Sequence, residues 1–488
     1  MKKTDTANLQ IGWASKDVTP DRPVNLYGQF YMRISKGVKD PVTVSVLALS
    51  SGASTADTAV FISCDSAYIP EEAYERCCAA IRKLVPKFDA RYIIMNGTHT
   101  HTAPGLRDGL YPPVPAGVMT PQEYAVFFAG RVAEAVKEAW ENRKPGEVSF
   151  GLGTAVVGHN RRATYFDDVA VRLNEQAPGC YASGYAKMYG NTNDPKFSHI
   201  EGYEDHYVDL LYTWDKEKKL TGVLINLACP SQETESDYYV SADFWHEIRQ
   251  EIRQRHGDKI QILAQCSSAG DQSPHRLWYK AAEERMLKLR KLAMRQEIGR
   301  RVANAVDDVL PSAKQAIQAN LSLKHVVKEI KLPRRMIGDA EAAAVRADLA
   351  KLEAGDKTAG NYYASMRRCR DALERYETQK KEPTLAMELH VVRLGDVAFA
   401  TNRFEYFLDF GIRIKARSPA VQTFVVQLAA DRHGTGTYLP TERAIAGKGY
   451  GGGVYDNPVG PEGGQIIVEE TIEMLRELWP EADKKPEQ

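Results

Sequence analysis

Short apolar runs alternate with amphipathic stretches through the first half of this chain. The runs TVSVLALSSG (43–52), TAVFISCDSA (58–67) and RYIIMNGTHTHT (91–102) each predict a buried strand that ends in small or polar residues. Between the last two, PEEAYERCCAAIRKLV has apolar residues at helical spacing and a proline at its start, which predicts a helix. Strands that alternate with helices predict an α/β fold, in which the loops that follow the strands carry the chemistry.

The length of 488 residues is compatible with one large domain that carries insertions, or with two domains. We interpret residues 1–488 as a single domain. Two segments, about 278–310 and 338–380, are charged, mainly helical and almost without strand signals. The second is predicted to be a helical hairpin inserted before a final β-rich segment.

The charge balance and the apolar runs narrow the range of partners. Lysine plus arginine and aspartate plus glutamate both total 64, so nothing indicates nucleic acid or an acidic membrane as a partner. No apolar run reaches the length of a transmembrane segment. The N-terminus lacks the apolar core of a signal peptide, which predicts a cytoplasmic location, unless a signal was removed. A homo-oligomer is compatible with the sequence but not indicated by it.

Cysteine usage also favours a reducing compartment. The seven cysteines are an odd number, and no two of them form a CxxC pair. They are predicted to be reduced thiols and comprise Cys64, Cys77, Cys78, Cys180, Cys229, Cys266 and Cys369.

Two histidines follow one of the predicted strands. His99 and His101 lie in NGTHTHTAPG, and on an extended chain residues i and i+2 point to the same face. Imidazole is a common metal ligand and transfers protons well near neutral pH. The pair therefore predicts a site in which both bind a metal, or one binds it while the other moves protons. The alternative is two polar residues bonded to the backbone at a strand end.

Other reactive side chains follow apolar runs, and each is a weak signal by itself. Ser273, in CSSAGDQSPH, is a nucleophile, a hydrogen-bond donor or a turn residue, and it does not lie in a G-x-S-x-G elbow. Cys229 is a small buried hydrophobe or, as a thiolate, a ligand suited to zinc. Glu405 follows the run VAFAT, and Tyr438 lies in TYLPTE.

The order of these pieces resembles the catalytic domain of the neutral ceramidase superfamily of zinc-dependent amidases. The most specific part is THTH-x-x-PG (98–105) with GD-x-SP (270–274) downstream. HNRRA, SAD, a glutamate after the RLGD strand and Y-x-P-T near the end support it. The resemblance extends from IGWASKDVTP to about residue 452. It implies an α/β fold with a mixed β-sheet core flanked by helices.

The resemblance also implies roles for individual residues. In that family two histidines, a glutamate and a tyrosine bind zinc, and a zinc-bound water attacks an amide carbonyl. By position, the resemblance assigns zinc ligation to His99, Glu405 and Tyr438. It assigns the other catalytic roles to a proton-transferring His101, an oxyanion-binding Arg161, a second active-site tyrosine at Tyr450 and the loop serine Ser273.

One position departs from the family. Counting back from SAD, the second histidine ligand falls on Cys229, because ACP stands here where relatives have HP. Either the Cys229 thiolate completes the zinc site, or the site has lost a ligand and its metal. A thiolate beside Glu405 and an ionised Tyr438 would add negative charge, which makes zinc a weaker Lewis acid and raises the pKa of its bound water.

The expected substrate is polar. Ceramide-cleaving members of the family carry a C-terminal β-domain, and this sequence leaves no room for it after Tyr438. The segment 188–209 is rich in polar and aromatic residues, which suits a hydroxyl-bearing ligand such as a sugar, or a solvated loop. The candidate substrate-binding residues are Glu201, Asp205, His206 and Gln272.

Three functions remain open at this stage. The first is a metal-dependent hydrolase, with zinc as the expected metal, that cleaves an amide-like or ester-like bond in a polar small molecule. The second is a glycosidase or other carbohydrate-active enzyme on the same scaffold, which needs two suitably spaced carboxylates. The third is a binding protein that has lost the metal, and the cysteine at position 229 is what suggests it.

Overall fold

The fold is described from a computed structural model, which covers residues 9–52, 54–173 and 184–480. Cys180 and the first eight residues, which bear on the predicted location, lie outside these ranges. The other six cysteines are buried, and Cys64, Cys77, Cys78, Cys229 and Cys266 are free thiols, as the sequence predicts.

The strands of the described residues are numbered in chain order. They are β1 (Gln10–Asp17), β2 (Asn25–Leu26), β3 (Arg33–Ile34), β4 (Thr43–Ser50), β5 (Thr58–Cys64), β6 (Ile93–Gly97), β7 (Lys144–Pro145), β8 (Glu147–Thr154), β9 (His159–Asn160), β10 (Arg162–Tyr165), β11 (Ala186–Met188), β12 (Phe197–Ile200), β13 (Tyr207–Trp214), β14 (Leu220–Leu227), β15 (Gln261–Cys266), β16 (Gln272–Ser273), β17 (Leu323–Pro333), β18 (Thr384–Leu394), β19 (Val397–Thr401), β20 (Glu405–Tyr406), β21 (Gln422–Val426), β22 (Ala429–Ala430) and β23 (Tyr438–Leu439).

The α-helices are numbered in the same way. They are α1 (Glu71–Leu84), α2 (Pro121–Glu141), α3 (Val169–Leu173), α4 (Phe244–His256), α5 (Lys280–Arg290), α6 (Met294–Gln315), α7 (Asp339–Ala354), α8 (Tyr362–Thr378), α9 (Leu408–Arg417), α10 (Glu442–Gly447) and α11 (Pro461–Leu478).

Three larger sheets form the core, and each contains parallel and antiparallel pairs. The first has the strand order β22-β6-β5-β4-β1-β7, the second β15-β14-β13-β8 and the third β17-β18-β19-β21. The parallel pairs are β5–β6, β14–β15 and β19–β21. The predicted α/β class with a mixed sheet core is therefore confirmed.

The three sheets meet in one central apolar cluster. Phe61 of the first sheet, Leu224 of the second and Phe399 of the third belong to it, and all three are fully buried. Helices cover the outer faces: α1 and α2 pack on the first sheet, α4 and α6 on the second, and α9 and α11 on the third. Strands buried on both faces explain why β5 reads as a continuous apolar run rather than an alternating one.

The predicted elements lie where the sequence places them. The runs at 43–52, 58–67 and 91–102 contain β4, β5 and β6, and PEEAYERCCAAIRKLV forms α1. The segment at 338–380 forms the hairpin α7–α8, which lies between β17 and β18 and is the helical insertion. The assignment of the whole chain to one domain stays a prediction.

Within the described ranges, every helix is too short or too polar to cross a membrane.

Candidate active site

The side chains of His99 and His101 contact each other, although the backbone that carries them is not extended, as the sequence predicts it to be. β6 ends at Gly97, and His99 has a left-handed backbone with φ of 64°. The extended geometry assumed for 98–102 is therefore wrong. The turn still brings Nε2 of His99 to 3.3 Å from Nε2 of His101. Such a backbone is unfavourable for a residue with a Cβ, and it persists only where the surroundings hold it.

The orientation of His99 is set by the backbone. Its Nδ1 lies 2.6 Å from the carbonyl oxygen of Ala67, in the loop that follows β5. Nδ1 therefore donates its proton to that carbonyl, which leaves Nε2 pointing toward the other candidate ligands.

Glu405 lies on the Nε2 side of His99. Its Oε2 is 3.2 Å from Nε2 of His99, whose side chain is buried, and the side chain of Glu405 is 15% exposed. β20 and β23 pair in parallel with Glu405 opposite Tyr438, so two distant segments present their side chains to the same site. Burial acts to raise the pKa of Glu405, but the charge and hydrogen bond of His99 hold it below its usual value.

A second carboxylate contacts the other histidine. Oε2 of Glu235 lies 3.4 Å from Nδ1 of His101, and its Oε1 lies 3.3 Å from Nε2 of His275. Nε2 of Gln232 lies 2.9 Å from Nε2 of His101. Burial and the charge of His99 lower the pKa of His101 to about 4, against the effect of Glu235. His101 is thus a neutral imidazole at neutral pH.

The loop that carries Glu235 is held at its base. Oδ2 of Asp243, the residue that precedes α4, accepts hydrogen bonds from the backbone N–H (2.6 Å) and the hydroxyl (2.7 Å) of Thr234. Contacts of this kind fix the positions of Glu233 and Glu235 on either side of Thr234. Burial raises the pKa of Glu233 to about 7.

Arg161 and four hydroxyl-bearing side chains form another wall of the site. Nη2 of Arg161 donates to the carbonyl of Gly270 and to the hydroxyl of Tyr438, both at 3.0 Å. The Tyr438 and Tyr450 rings are 5.1 Å apart, edge to face. Ser273 Oγ lies 3.0 Å from the hydroxyl of Tyr189, so Ser273 is buried within this polar wall.

Three of these side chains border a small cavity of about 170 Å³. Glu405, Tyr438 and Tyr450 line its floor, and Arg367 and Arg368 of α8 line another side. An engineered apolar cavity of about 150 Å³ holds one benzene molecule, so this cavity accepts a ring-sized group. Its other lining side chains include Tyr27, Phe30, Tyr111 and Tyr455.

Cys229 points into an apolar cluster, unlike the predicted ligands His99, Glu405 and Tyr438. Its side chain is fully buried in the apolar cluster of the second sheet, together with Phe244 and Trp245. Its Sγ lies 3.4 Å from the carbonyl oxygen of Pro230, and burial holds the pKa of the thiol well above its ordinary value. The structure therefore joins His99, Glu405 and Tyr438 but gives no contact between them and Cys229.

The four predicted substrate-binding residues lie in other surroundings, and none lines this cavity. Glu201 forms a buried bidentate ion pair with Arg162, with contacts of 2.5 and 2.9 Å. Asp205 pairs with Lys415 at 3.3 Å, and Gln272 donates to the carbonyl of Tyr203 at 2.9 Å. These polar side chains bond to other groups of the protein, and a sequence alone cannot distinguish such internal bonds from contacts with a ligand.

His206 belongs to a second cluster that the sequence analysis did not single out. Oε2 of Glu204 lies 3.2 Å from Nδ1 of His159 and 3.1 Å from Nε2 of His206. The ligand atoms of His159, Glu204 and His206 all lie within 4.8 Å of one another, a spacing at which three side chains can bind one metal ion. It can hold a metal, and its only sequence signal is the spacing Glu-x-His in a polar loop.

Solved structures match the architecture along almost the whole chain. Neutral ceramidase from Pseudomonas aeruginosa aligns with a TM-score of 0.66, covering 99% of this chain and 76% of that chain at 14% sequence identity. The fold is that of neutral ceramidase. A ceramidase complexed with C2 aligns with a TM-score of 0.64 and 13% identity, over 97% of this chain and 76% of that one. No family model and no curated protein matches the sequence.

On the neutral ceramidase fold, two groups of site residues escaped the sequence analysis. His275 and Gln232 contact the Glu235–His101 pair, and Arg367 and Arg368 line the cavity. His275 directly follows GD-x-SP, so its position was a usable signal. The arginines of α8 gave no sequence signal, because α8 is rich in charged residues and its sequence looks like that of an ordinary solvent-exposed helix.

Proposed function

We propose that the protein is a hydrolase that activates water at the His99–Glu405 end of the cavity and cleaves an amide-like or ester-like bond of a small polar molecule. The observation that carries this proposal is the contact between His99 and Glu405, because Glu405 and the neighbouring Tyr438 line a ring-sized cavity. Arg161 lies beside them. The fold shared with neutral ceramidase agrees with it.

The geometry of His99 and Glu405 fits a metal ion. With its Nδ1 proton donated to Ala67, His99 places Nε2 3.2 Å from a carboxylate oxygen of Glu405, whose charge raises the pKa of His99 against the effect of burial. Two electron pairs face each other at this distance only with a proton or a cation between them. The spacing is close to the ~3.3 Å that separates two ligands ~2.0 Å from a tetrahedral zinc ion.

Three protein ligands and a water molecule are the usual set at a catalytic zinc. His99, Glu405 and Tyr438 would provide the three, without Cys229. Bound there, zinc would supply a Lewis acid that polarises the carbonyl and lowers the pKa of water.

The residues around this position supply the remaining functions. His101, neutral and with Nε2 toward the site, accepts the proton of the attacking water and later donates it to the leaving group. Arg161 and Tyr450 donate hydrogen bonds to the oxygen on which negative charge develops. Ser273 and Tyr189 hold the wall beside Arg161.

A glycosidase is the second candidate, and one observation favours it. Glu233 has a pKa raised to about 7, whereas contacts with His101 and His275 hold the pKa of Glu235 far below its usual value. A protonated carboxyl beside an ionised one is the pairing that glycoside hydrolysis uses. Neither residue lines the cavity, whereas Glu405 and Tyr438 do, so the hydrolytic-water proposal takes precedence.

Metal content and substrate range together test the proposal. The protein is purified without added metal or chelator, alongside His99→Ala and a matched control, His199→Ala, whose imidazole is exposed. We expect about one zinc ion per chain in the parent and the control, and loss in His99→Ala. Esters and anilides of small polar acyl groups are expected to be cleaved, and nitrophenyl glycosides are not. A metal-free protein that cleaves only glycosides overturns the proposal in favour of the second candidate.

A further inference from the structure

Helix α8 of the insertion turns one face toward the cavity. Ala364, Arg367, Arg368 and Asp371 all line it, and their spacing of three and four residues places them on a single helical face. The hairpin is held against the rest of the fold by apolar packing that includes Cys369 and Tyr455. The hydroxyl of Tyr455 also donates to Asp348 of α7 at 2.7 Å.

The two arginines of this face are anchored differently. Arg368 forms an ion pair with Asp456, and its guanidinium lies 5.1 Å from the Phe30 ring and 5.6 Å from the Tyr450 ring. Arg367 lies 3.6 Å from Asp371, whose side chain is 59% exposed. The Nε of Arg367 is buried and has no hydrogen-bond partner. A buried guanidinium N–H without a partner costs free energy that an anionic ligand would recover.

Three guanidinium groups act on a tyrosine of the cavity lining, which also contains the carboxylates of Asp371, Glu405 and Asp456. Arg107, whose guanidinium lies 5.9 Å from the Tyr68 ring, has no carboxylate within 4 Å among the described residues. Tyr27 is partly buried, and burial raises its pKa, while Arg367, Arg107 and Arg368 all act to lower it. The hydroxyl group of Tyr27 therefore interacts electrostatically with three guanidinium groups. Glu405, the carboxylate at the floor, is already engaged by His99.

We propose that the cavity recognises a small substrate that carries a carboxylate next to a ring, and that Arg367 and Arg368 bind the carboxylate. A planar guanidinium matches a carboxylate through paired hydrogen bonds, and the tyrosine rings provide faces for a flat or sugar-like ring. The inference rests on the proposed function, since it places the scissile bond near Glu405 and the negative charge near α8. The cavity volume admits one ring-sized group.

The test measures binding and requires no turnover. Benzoate is compared with benzamide, and glucuronate with glucose, by calorimetry at pH 7 on the parent and on His99→Ala. We expect each anion to bind at least about tenfold more tightly than its neutral partner in both proteins. Equal affinities of the charged and neutral probes overturn the inference.

Variants of one helix face locate the site. Arg367→Gln should remove most of the preference for the anion, while Arg370→Gln, on the exposed face of α8, should leave it unchanged. Asp371→Asn should strengthen anion binding severalfold, because Asp371 competes with the ligand for Arg367. An undiminished preference in Arg367→Gln contradicts the inference. Anion binding without hydrolysis of any ester or amide contradicts the proposed function instead, so the two failures are distinguishable.

Discussion

The carboxylate of Glu235 lies 3.4 Å from Nδ1 of His101, the ring nitrogen opposite to the one that faces His99. The carboxylate places negative charge beside the imidazole and, in the proposed mechanism, would stabilise the positive charge that His101 gains when it takes a proton. It is the arrangement by which a carboxylate supports a histidine base in hydrolases.

Glu235→Gln is therefore expected to lower kcat about 10²-fold while leaving KM nearly unchanged, because proton transfer is affected and substrate contacts are not. Steady-state kinetics on the best substrate provide the measurement. Glu284→Gln, at an exposed position, is the control and should match the parent. An effect on KM alone would mean that Glu235 binds substrate rather than orienting His101.

Cys229→Ala is expected to retain the metal. The thiol is packed among apolar side chains and is kept neutral by burial, so its removal deletes no ligand. Elemental analysis of the variant beside the parent checks this. His206→Ala is analysed in parallel, because the His159–Glu204–His206 cluster can hold a second ion. Loss of zinc in Cys229→Ala would restore the thiolate as a ligand.

Glu233 makes stability depend on pH. Burial raises its pKa from 4.5 to about 7, with Asp243 and Glu235 adding to the rise and His275 opposing it. The folded state then holds a proton that the unfolded state releases, so this contribution is full below pH 4.5 and is lost as pH rises through 7. The loss amounts to about 3 kcal/mol at most.

The Glu233→Gln variant removes this titration. Its free energy of unfolding should therefore fall less than that of the parent between pH 5 and pH 8. Urea denaturation at several pH values measures the difference, again with Glu284→Gln as the exposed control. Parallel pH profiles in parent and variant would show that Glu233 titrates normally.

A buried ion pair supports the loop after β5. Asp65 accepts hydrogen bonds from two nitrogens of Arg249, at 2.7 and 3.0 Å, and both side chains are almost completely buried. Arg249→Met leaves an unpaired buried carboxylate and is expected to cost about 3–5 kcal/mol of unfolding free energy. The double variant Asp65→Asn, Arg249→Met should be more stable than Arg249→Met alone, as thermal or urea denaturation can establish. An additive loss would contradict the pairing.

Sequence motifs identified many residues of the candidate site, but they did not predict which of these side chains contact one another. THTH, HNRRA, the glutamate after RLGD and Y-x-P-T identified residues that lie in contact, since His99 contacts Glu405 and Arg161 contacts Tyr438. The same reasoning offered Cys229 as a ligand, because a sequence position does not specify which way a side chain points. It also took Glu201 for a substrate contact, whereas Arg162 neutralises it within the fold.

The amino-acid sequence by itself determined where the strands and helices form, because apolar periodicity and helix start signals are local properties. It also confined the chemistry to loops after strands. Tertiary structure alone decided that Glu405 faces His99, and that the arginines of α8 lie over the same cavity. Those contacts join segments hundreds of residues apart. They depend on how three sheets pack around one apolar cluster, and no local pattern encodes that arrangement.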